Sequence, residues 1–410
     1  MSDAERIARL EAQIELLSRM VSQAHGGEGA PGHRPEEALQ LQGQQLAQAL
    51  HVLEPLRPLL EDPTINDILI NGPQSIYVER SGKLVRTDLV FPSDAEVFQI
   101  AKVIANQAGR VVDPRRPLVD ARLPDGSRVN VIAPPLAVDG TSISIRKFSK
   151  KDITLEMMGQ SGNLSPGLAQ FLEVCGRCKL NIIISGGTGS GKTTLLNALT
   201  QHISHDERIV TIEDAAELRL QQPHVVRLET KPIAVGQNRD DEVTIRDLMK
   251  NALRMRPDRI IVGEVRGAEA FDMMQAMNTG HEGSLTTVHA NHPRDALARI
   301  ENMINMANLN LGPAAVRAQV ASAVHLIVQI SRMRDGVRRV TFVSEIVGTE
   351  GEIITMQDLF SFQARGEGAD GKLQGEFKWS GIVPRFLRRA AYYGEAERLA
   401  AALGTKLPKI

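Results

Sequence analysis

The residues best equipped for chemistry stand in one stretch, Gly186-Gly187-Thr188-Gly189-Ser190-Gly191-Lys192-Thr193-Thr194. Glycines spaced Gly-x4-Gly and followed by Lys-Thr let backbone N–H groups converge on phosphate oxygens. Lys192 would reach the β- and γ-phosphates, and the Thr193 hydroxyl would ligate Mg2+. Upstream, residues 180–185 form the apolar, β-branched run of a buried parallel strand. Downstream, residues 194–200 are rich in Leu and Ala and predict a helix whose positive end faces the same phosphates. Strand, glycine loop and helix in that order make a nucleoside triphosphate the expected ligand.

Three later clusters could supply what hydrolysis requires. Residues 208–217 read as a strand closing on acids, and Glu213 is the first choice to polarise an attacking water. Residues 259–264 are an apolar strand ending on Glu264, which could hold Mg2+ through water. Gly263 stands where many phosphate-loop enzymes place an aspartate. The segment 279–290 brings His281, His289 and two threonines to the ends of one strand, and histidines can donate to a phosphate oxygen or report its departure. The eight-residue gap between the histidines, with no cysteine nearby, argues against zinc. Cys175 and Cys178 form half a metal motif with no second half, so they read as small residues one turn apart.

These groups need a scaffold. Beyond residue 150, strands alternate with helices, which implies a doubly wound, largely parallel sheet around the phosphate loop, with a helical and hairpin extension after residue 310. That extension includes a hairpin of 326–329 with 339–347 and a Gly-rich loop over 365–371. Residues 64–148 mix short strands with one helix over 93–108, and Asp125-Gly126 marks a hairpin. Alternation in 128–131 and 142–146 puts Arg128 and Arg146 on the face opposite Val129, Val131, Ile143 and Ile145. Residues 1–24 are expected to form an amphipathic helix with a short coiled-coil seam, which either zips to a partner or docks on its own protein. A flexible linker follows over 25–36. The expected domains are therefore 37–148, α+β and presenting arginines, and 149–410, α/β.

Composition limits what the energy could move. Net charge is −1, so a general nucleic-acid track is not expected. No apolar stretch approaches bilayer length and no signal-peptide pattern opens the chain, so a cytoplasmic protein is expected.

In order, the glycine loop, Thr211-Ile212-Glu213-Asp214, the segment 256–266 and Thr279-Gly280-His281 to His289-Ala290-Asn291 resemble the Walker A, Asp, Walker B and His boxes of the type II/IV secretion ATPases. Residues 118–130 and 144–148 most resemble the tight-adherence (Flp pilus) assembly ATPases, and the similarity runs over about 53–393. Gly263-Glu264 is that superfamily's habit. The resemblance implies a RecA-like ATPase domain preceded by a smaller PAS-like domain, with ATP and Mg2+ bound. It also implies a ring of six subunits under an inner-membrane platform protein, with membrane association only through partners. In such rings the N-terminal domain closes over the nucleotide and its arginines clamp the phosphates, a role that fits Arg128, Arg146 and Arg122. The implied function is an ATP-hydrolysing motor for assembly, or retraction, of a Flp pilus. Conjugation or effector secretion is the nearest rival, followed by a DNA-translocating ring and a nucleotide switch without turnover.

Overall fold

The computed structural model describes residues 52–80, 83–107, 110–123, 125–147, 152–231, 242–368 and 371–408. The helix expected over 1–24 and the linker over 25–36 lie outside these residues. The chain divides into two compact units, residues 1–149 and 150–410.

In the first unit a short helix, α1 (Arg57–Glu61), precedes β1 (Ile65–Asn71), β2 (Ile76–Arg80), β3 (Lys83–Arg86), α2 (Asp94–Gln107), β4 (Leu118–Arg122), β5 (Arg128–Ile132) and β6 (Ser142–Arg146). The strands form one antiparallel sheet in the order β3-β2-β1-β6-β5-β4. Alternation decides its faces. Ile68, Ile70, Val129, Val131, Ile143 and Ile145 are buried in one core with Val97, Ile100, Ala101 and Ile104 of α2. The β4–β5 turn is built by Asp125, whose carboxylate accepts from the backbone and hydroxyl of Ser127, while Gly126 takes φ +91.

The second unit opens with α3 (Leu155–Gln160) and α4 (Pro166–Arg177), capped by the Thr154 and Ser165 hydroxyls. Next come β7 (Ile182–Ser185), α5 (Lys192–Thr200), β8 (Ile209–Glu213), β9 (Val225–Glu229), α6 (Ile245–Ala252), β10 (Arg259–Val262), α7 (Glu269–Asn278), β11 (Leu285–Val288), α8 (Pro293–Asn305) and α9 (Pro313–Ala323). The chain then runs through β12 (Leu326–Arg332), β13 (Arg338–Glu350), β14 (Ile353–Glu367), β15 (Leu373–Trp379), α10 (Leu387–Tyr392) and α11 (Ala396–Leu403). One sheet holds every strand, in the order β15-β14-β13-β12-β7-β11-β10-β8-β9. From β12 to β9 neighbours are parallel, whereas β13, β14 and β15 are antiparallel additions.

Both faces of the parallel region are covered, which is why its strands are continuously apolar rather than alternating. Ile182, Ile184 and Leu285 pack with α4, α5 and α11 on one side. Ile183, Ile260 and Val262 pack with α6, α7, α8 and α9 on the other. Cys175 and Cys178 belong to the first of these cores. Burial pushes both thiols up, Cys178 to about 11, so they are packing residues with little thiolate character.

Two expectations change in the C-terminal part. The hairpin of 326–329 with 339–347 is the start of a long sheet extension, because β12 docks parallel to β7 and leaves its other edge for β13. The Gly-rich loop expected over 365–371 begins later, since Arg365, Gly366 and Glu367 end β14 and pair toward Leu373 across a bulge. Among the described residues, no helix is long and apolar enough to cross a membrane.

Candidate nucleotide site

The parallel strands determine what meets at their carboxyl ends. Register pairs Ser185 with Val288 and with Gln329, and Val262 with Ile212. The residues that follow therefore share one edge: the glycine loop after β7, Glu213 closing β8, Gly263-Glu264 after β10 and His289 after β11. Such an edge is where open α/β sheets bind ligands.

The loop is shaped for an anion. Gly189 and Gly191 adopt φ +68 and +98, where a side chain would be strained. An added Cβ on Gly186 would come within 2.4 Å of both the Ile330 carbonyl oxygen and Ser190 Oγ. Helix α5 starts from Gly191 with no side-chain cap, leaving its first N–H groups available to a ligand. Lys192 is buried. Its Nζ donates to the Gly187 carbonyl at 3.1 Å and lies 3.1 Å from His289 Nε2. Burial holds its ammonium below the usual lysine range, a position that phosphate oxygens would relieve.

Glu213 occupies the adjoining strand end and is 4% exposed. Its Oε2 accepts the backbone N–H groups of Glu217 at 2.8 Å and Leu218 at 3.0 Å, while its buried Oε1 has no partner. Burial, helped by the nearby Glu217 charge, raises the carboxyl to about 7 despite those two donors. Gly263 has a definite reason to lack a side chain: its Cβ would stand 3.0 Å from Glu213 Cγ. Thr287 Oγ1 donates to the Gly263 carbonyl at 2.8 Å and fixes the turn from the other side.

Glu264 is held between two cations or potential cations. Its Oε2 accepts from Arg266 Nη2 at 2.6 Å, and its Oε1 lies 3.0 Å from His289 Nε2. Arg266 also reaches Asp214 Oδ2 at 3.4 Å. Burial lowers the His289 imidazole from its ordinary range, and Lys192 acts in the same direction.

The structure thus brings together Gly186 to Thr194, Glu213, Glu264 and His289. It does not bring His281 with them. His281 precedes β11, at the amino-terminal edge opposite the loop, where its carbonyl accepts the Ser284 hydroxyl at 2.7 Å. The two histidines share a strand, but a parallel strand has two ends.

Arg122, Arg128 and Arg146 lie in the first unit and form a row. Arg122 is paired with Arg128, Arg128 with Arg146, and Arg146 with Asp67 on β1. Directly paired antiparallel residues point to the same face, and like charges so placed repel. Asp67 accepts from Arg146 Nε at 3.2 Å. Sequence alternation gave the face of Arg128 and Arg146, but only the strand order shows that Arg122 continues the row.

Sequence reasoning missed Arg266 and Arg338. Arg266 sits inside a quoted motif and had no role, although an Arg two positions from a carboxylate is a visible pairing signal. Arg338 donates from Nε to the Gly189 carbonyl at 2.9 Å across 149 residues of chain, which no local pattern reveals.

The family model described as Type II/IV secretion system protein matches residues 50–370. Conjugal transfer protein TrbB of Rhizobium radiobacter is 35% identical over 299 residues, which are 71% of this chain and 86% of that protein. Type IV secretion system protein VirB11 of Bartonella quintana is 32% identical over 332 residues, covering 72% of this chain and 92% of that one. The X-ray structure of the Yersinia pseudotuberculosis ATPase DotB is alike in fold, with a TM-score of 0.51 at 18% identity over 77% of this chain and 80% of its own. With the family model spanning most of its length and these relatives matched over more than two thirds of it, the chain belongs to the type II/IV secretion system protein family.

Proposed function

We propose that this protein is an ATP-hydrolysing motor of a type IV secretion or conjugal transfer machine. The observation that carries the reading is the convergence at one sheet edge of the glycine loop, a buried lysine with no carboxylate partner among the described residues, and a carboxyl poised near 7. Relatives named for conjugal transfer and type IV secretion support this assignment over the pilus motor implied by sequence resemblance. Pilus assembly stays as a second reading, supported by the resemblance of residues 118–130 and 144–148 to the tight-adherence ATPases.

In this reading the second unit is the RecA-like ATPase domain and the first is a PAS-like domain. The loop N–H groups, Lys192 and the start of α5 bind the triphosphate. Thr193 and Glu264 would hold Mg2+, through water at Glu264, and the ion would neutralise charge on the phosphates. Glu264 must then leave Arg266. Glu213, with its free Oε1, accepts a proton from the attacking water. Arg122, Arg128 and Arg146 stabilise the developing phosphate charge, their mutual repulsion relieved by the anion. The active particle is a homohexamer under an inner-membrane platform protein, at the cytoplasmic face. His281, on the far edge of its sheet, is assigned no contact with this chain's own nucleotide.

Steady-state phosphate release from ATP and Mg2+ tests the proposal. Wild-type protein should turn over, and Lys192→Ala should lose both nucleotide binding and turnover. A wild-type chain that binds ATP without releasing phosphate would sink the motor reading.

A further inference from the structure

The phosphate loop rests on the β12–β13 hairpin. Ile330 of β12 lies under it, with its carbonyl against Gly186 and its Cδ1 3.6 Å from where a Cβ on Gly191 would stand. Arg338, the first residue of β13, crosses the loop above this floor. Its Nε donates to the Gly189 carbonyl at 2.9 Å, and its Cδ lies 3.2 Å from the Cβ position of Gly191. Gly189 and Gly191 are the loop's two left-handed residues. Glycines of this kind give the backbone freedom it must lose before phosphate can be gripped. Arg338 restrains that freedom where it is greatest.

Arg338 is itself held from behind. The side-chain amide of Asn163 donates to the Arg338 carbonyl, and Val340 N donates to the Asn163 carbonyl at 2.9 Å. Asn163 lies in the connection between α3 and α4, beside Gly162 at φ +74. That connection belongs to the segment with which the second unit begins. Residues 163, 189 and 338 are remote in sequence, yet they form one continuous set of hydrogen bonds running from that segment to the loop.

We infer that Arg338 is a positioning residue of the phosphate loop, and that Asn163 ties it to the segment opening the second unit. The inference rests on the loop being the nucleotide site. Movement of the α3–α4 connection then changes the shape of the loop through one arginine, without touching the strand that precedes it. Arg338 pre-organises binding, so its loss weakens capture of ATP more than it slows the chemistry of bound ATP.

The test compares full-length wild type with Arg338→Ala, Arg338→Lys and Asn163→Ala. Amide hydrogen exchange over 186–194 is measured without nucleotide and with ATP, beside KM and kcat. Removal of a hydrogen bond from a charged donor predicts a KM for ATP raised about tenfold in Arg338→Ala. The fall in kcat should be smaller than that rise, and the nucleotide-free loop should exchange faster. Asn163→Ala should move both quantities in the same direction by less. Arg338→Lys should recover part of the KM, since an ammonium can still reach the Gly189 carbonyl but lacks the planar fork. If Arg338→Ala does not fold, the lysine and Asn163 variants carry the same comparison. Loop exchange and KM at wild-type values in these variants would overturn the inference, as would a loss confined to kcat. Failure of ATP to protect 186–194 in the wild type would instead strike the nucleotide reading, while the nucleotide-free exchange still decides the role of Arg338.

Discussion

Replacing Glu213 by Gln puts one side chain to two tests with opposite signs. Desolvation is the largest influence on the carboxyl, and it overcomes the backbone donors of Glu217 and Leu218 to give a value of about 7 against an ordinary 4.5. Because the folded value exceeds the unfolded one, the group stabilises the fold through its bound proton. That contribution is complete below pH 4.5 and is lost as pH rises to 7 and beyond. The span from 4.5 to about 7 corresponds to about 3 kcal/mol. Glutamine does not titrate, and its oxygen can keep both backbone donors. The variant should therefore gain about 3 kcal/mol on wild type between roughly pH 4.5 and pH 8, because other groups titrate alike in both proteins and cancel.

Chemical denaturation of the nucleotide-free chain at those two pH values measures the difference. Trp379 is the single tryptophan and lies in the second unit, so its fluorescence follows the unit that holds Glu213. Phosphate release by the same variant should drop at least about a hundredfold while ATP affinity is retained. A Gln-minus-Glu stability difference that is equal at both pH values would refute the burial argument. Undiminished phosphate release would refute the base assignment. The two results are independent, so a carboxyl that is merely buried and one that is also catalytic give different outcomes.

Wild-type turnover should rise with pH and level off above about 7, since only ionised Glu213 can take a proton; a rate independent of pH across that range contradicts the assignment. Gly263→Ala would place a Cβ 3.0 Å from Glu213 Cγ, so turnover should fall by more than tenfold. The stability cost should be about 1–3 kcal/mol by denaturation. Arg259→Met would strand Glu207, which Arg259 now binds through Nε at 2.7 Å and Nη2 at 2.8 Å in a buried pair. Denaturation should show a loss of about 3 kcal/mol, toward the low end for such pairs because Lys179 lies 3.2 Å from the same carboxylate, with turnover per folded molecule little changed.

What could be read from sequence was whatever a strand or turn encodes locally. Residues 180–194 announced strand, loop and helix because each piece has its own composition, and Asp125-Gly126 announced its turn because the turn demands those residues. Face assignment by alternation also worked for Arg128 and Arg146. Strand order did not show, because the pairing of Arg122 with Arg128 and Arg146 with Asp67 is a matter of register between distant segments. Similarly, Gly263 looked like a departure from a motif, when it is the space that Glu213 occupies. His281 looked like a partner of His289 because eight residues is close in sequence, whereas a strand crossing the sheet separates them.

His289 shows what the assembled edge adds beyond its parts. Its Nε2 lies 3.1 Å from Lys192 Nζ and 3.0 Å from Glu264 Oε1. A neutral imidazole nitrogen is either a donor or an acceptor, so Nε2 cannot accept from the ammonium and donate to the carboxylate at once. Burial favours the neutral ring. A triphosphate that draws Lys192 onto its oxygens removes one of these claims, and Nε2 is then left to donate to Glu264. His289 thus couples occupation of the loop to the orientation of the carboxylate expected to hold the metal. His289→Ala should then lower turnover on the order of a hundredfold. ATP affinity should change far less, because the loop and Lys192 still bind phosphate. Equilibrium binding of a fluorescent ATP analogue, set beside phosphate release, separates the two. Affinity lost in step with turnover would mean that His289 only holds Lys192 in place.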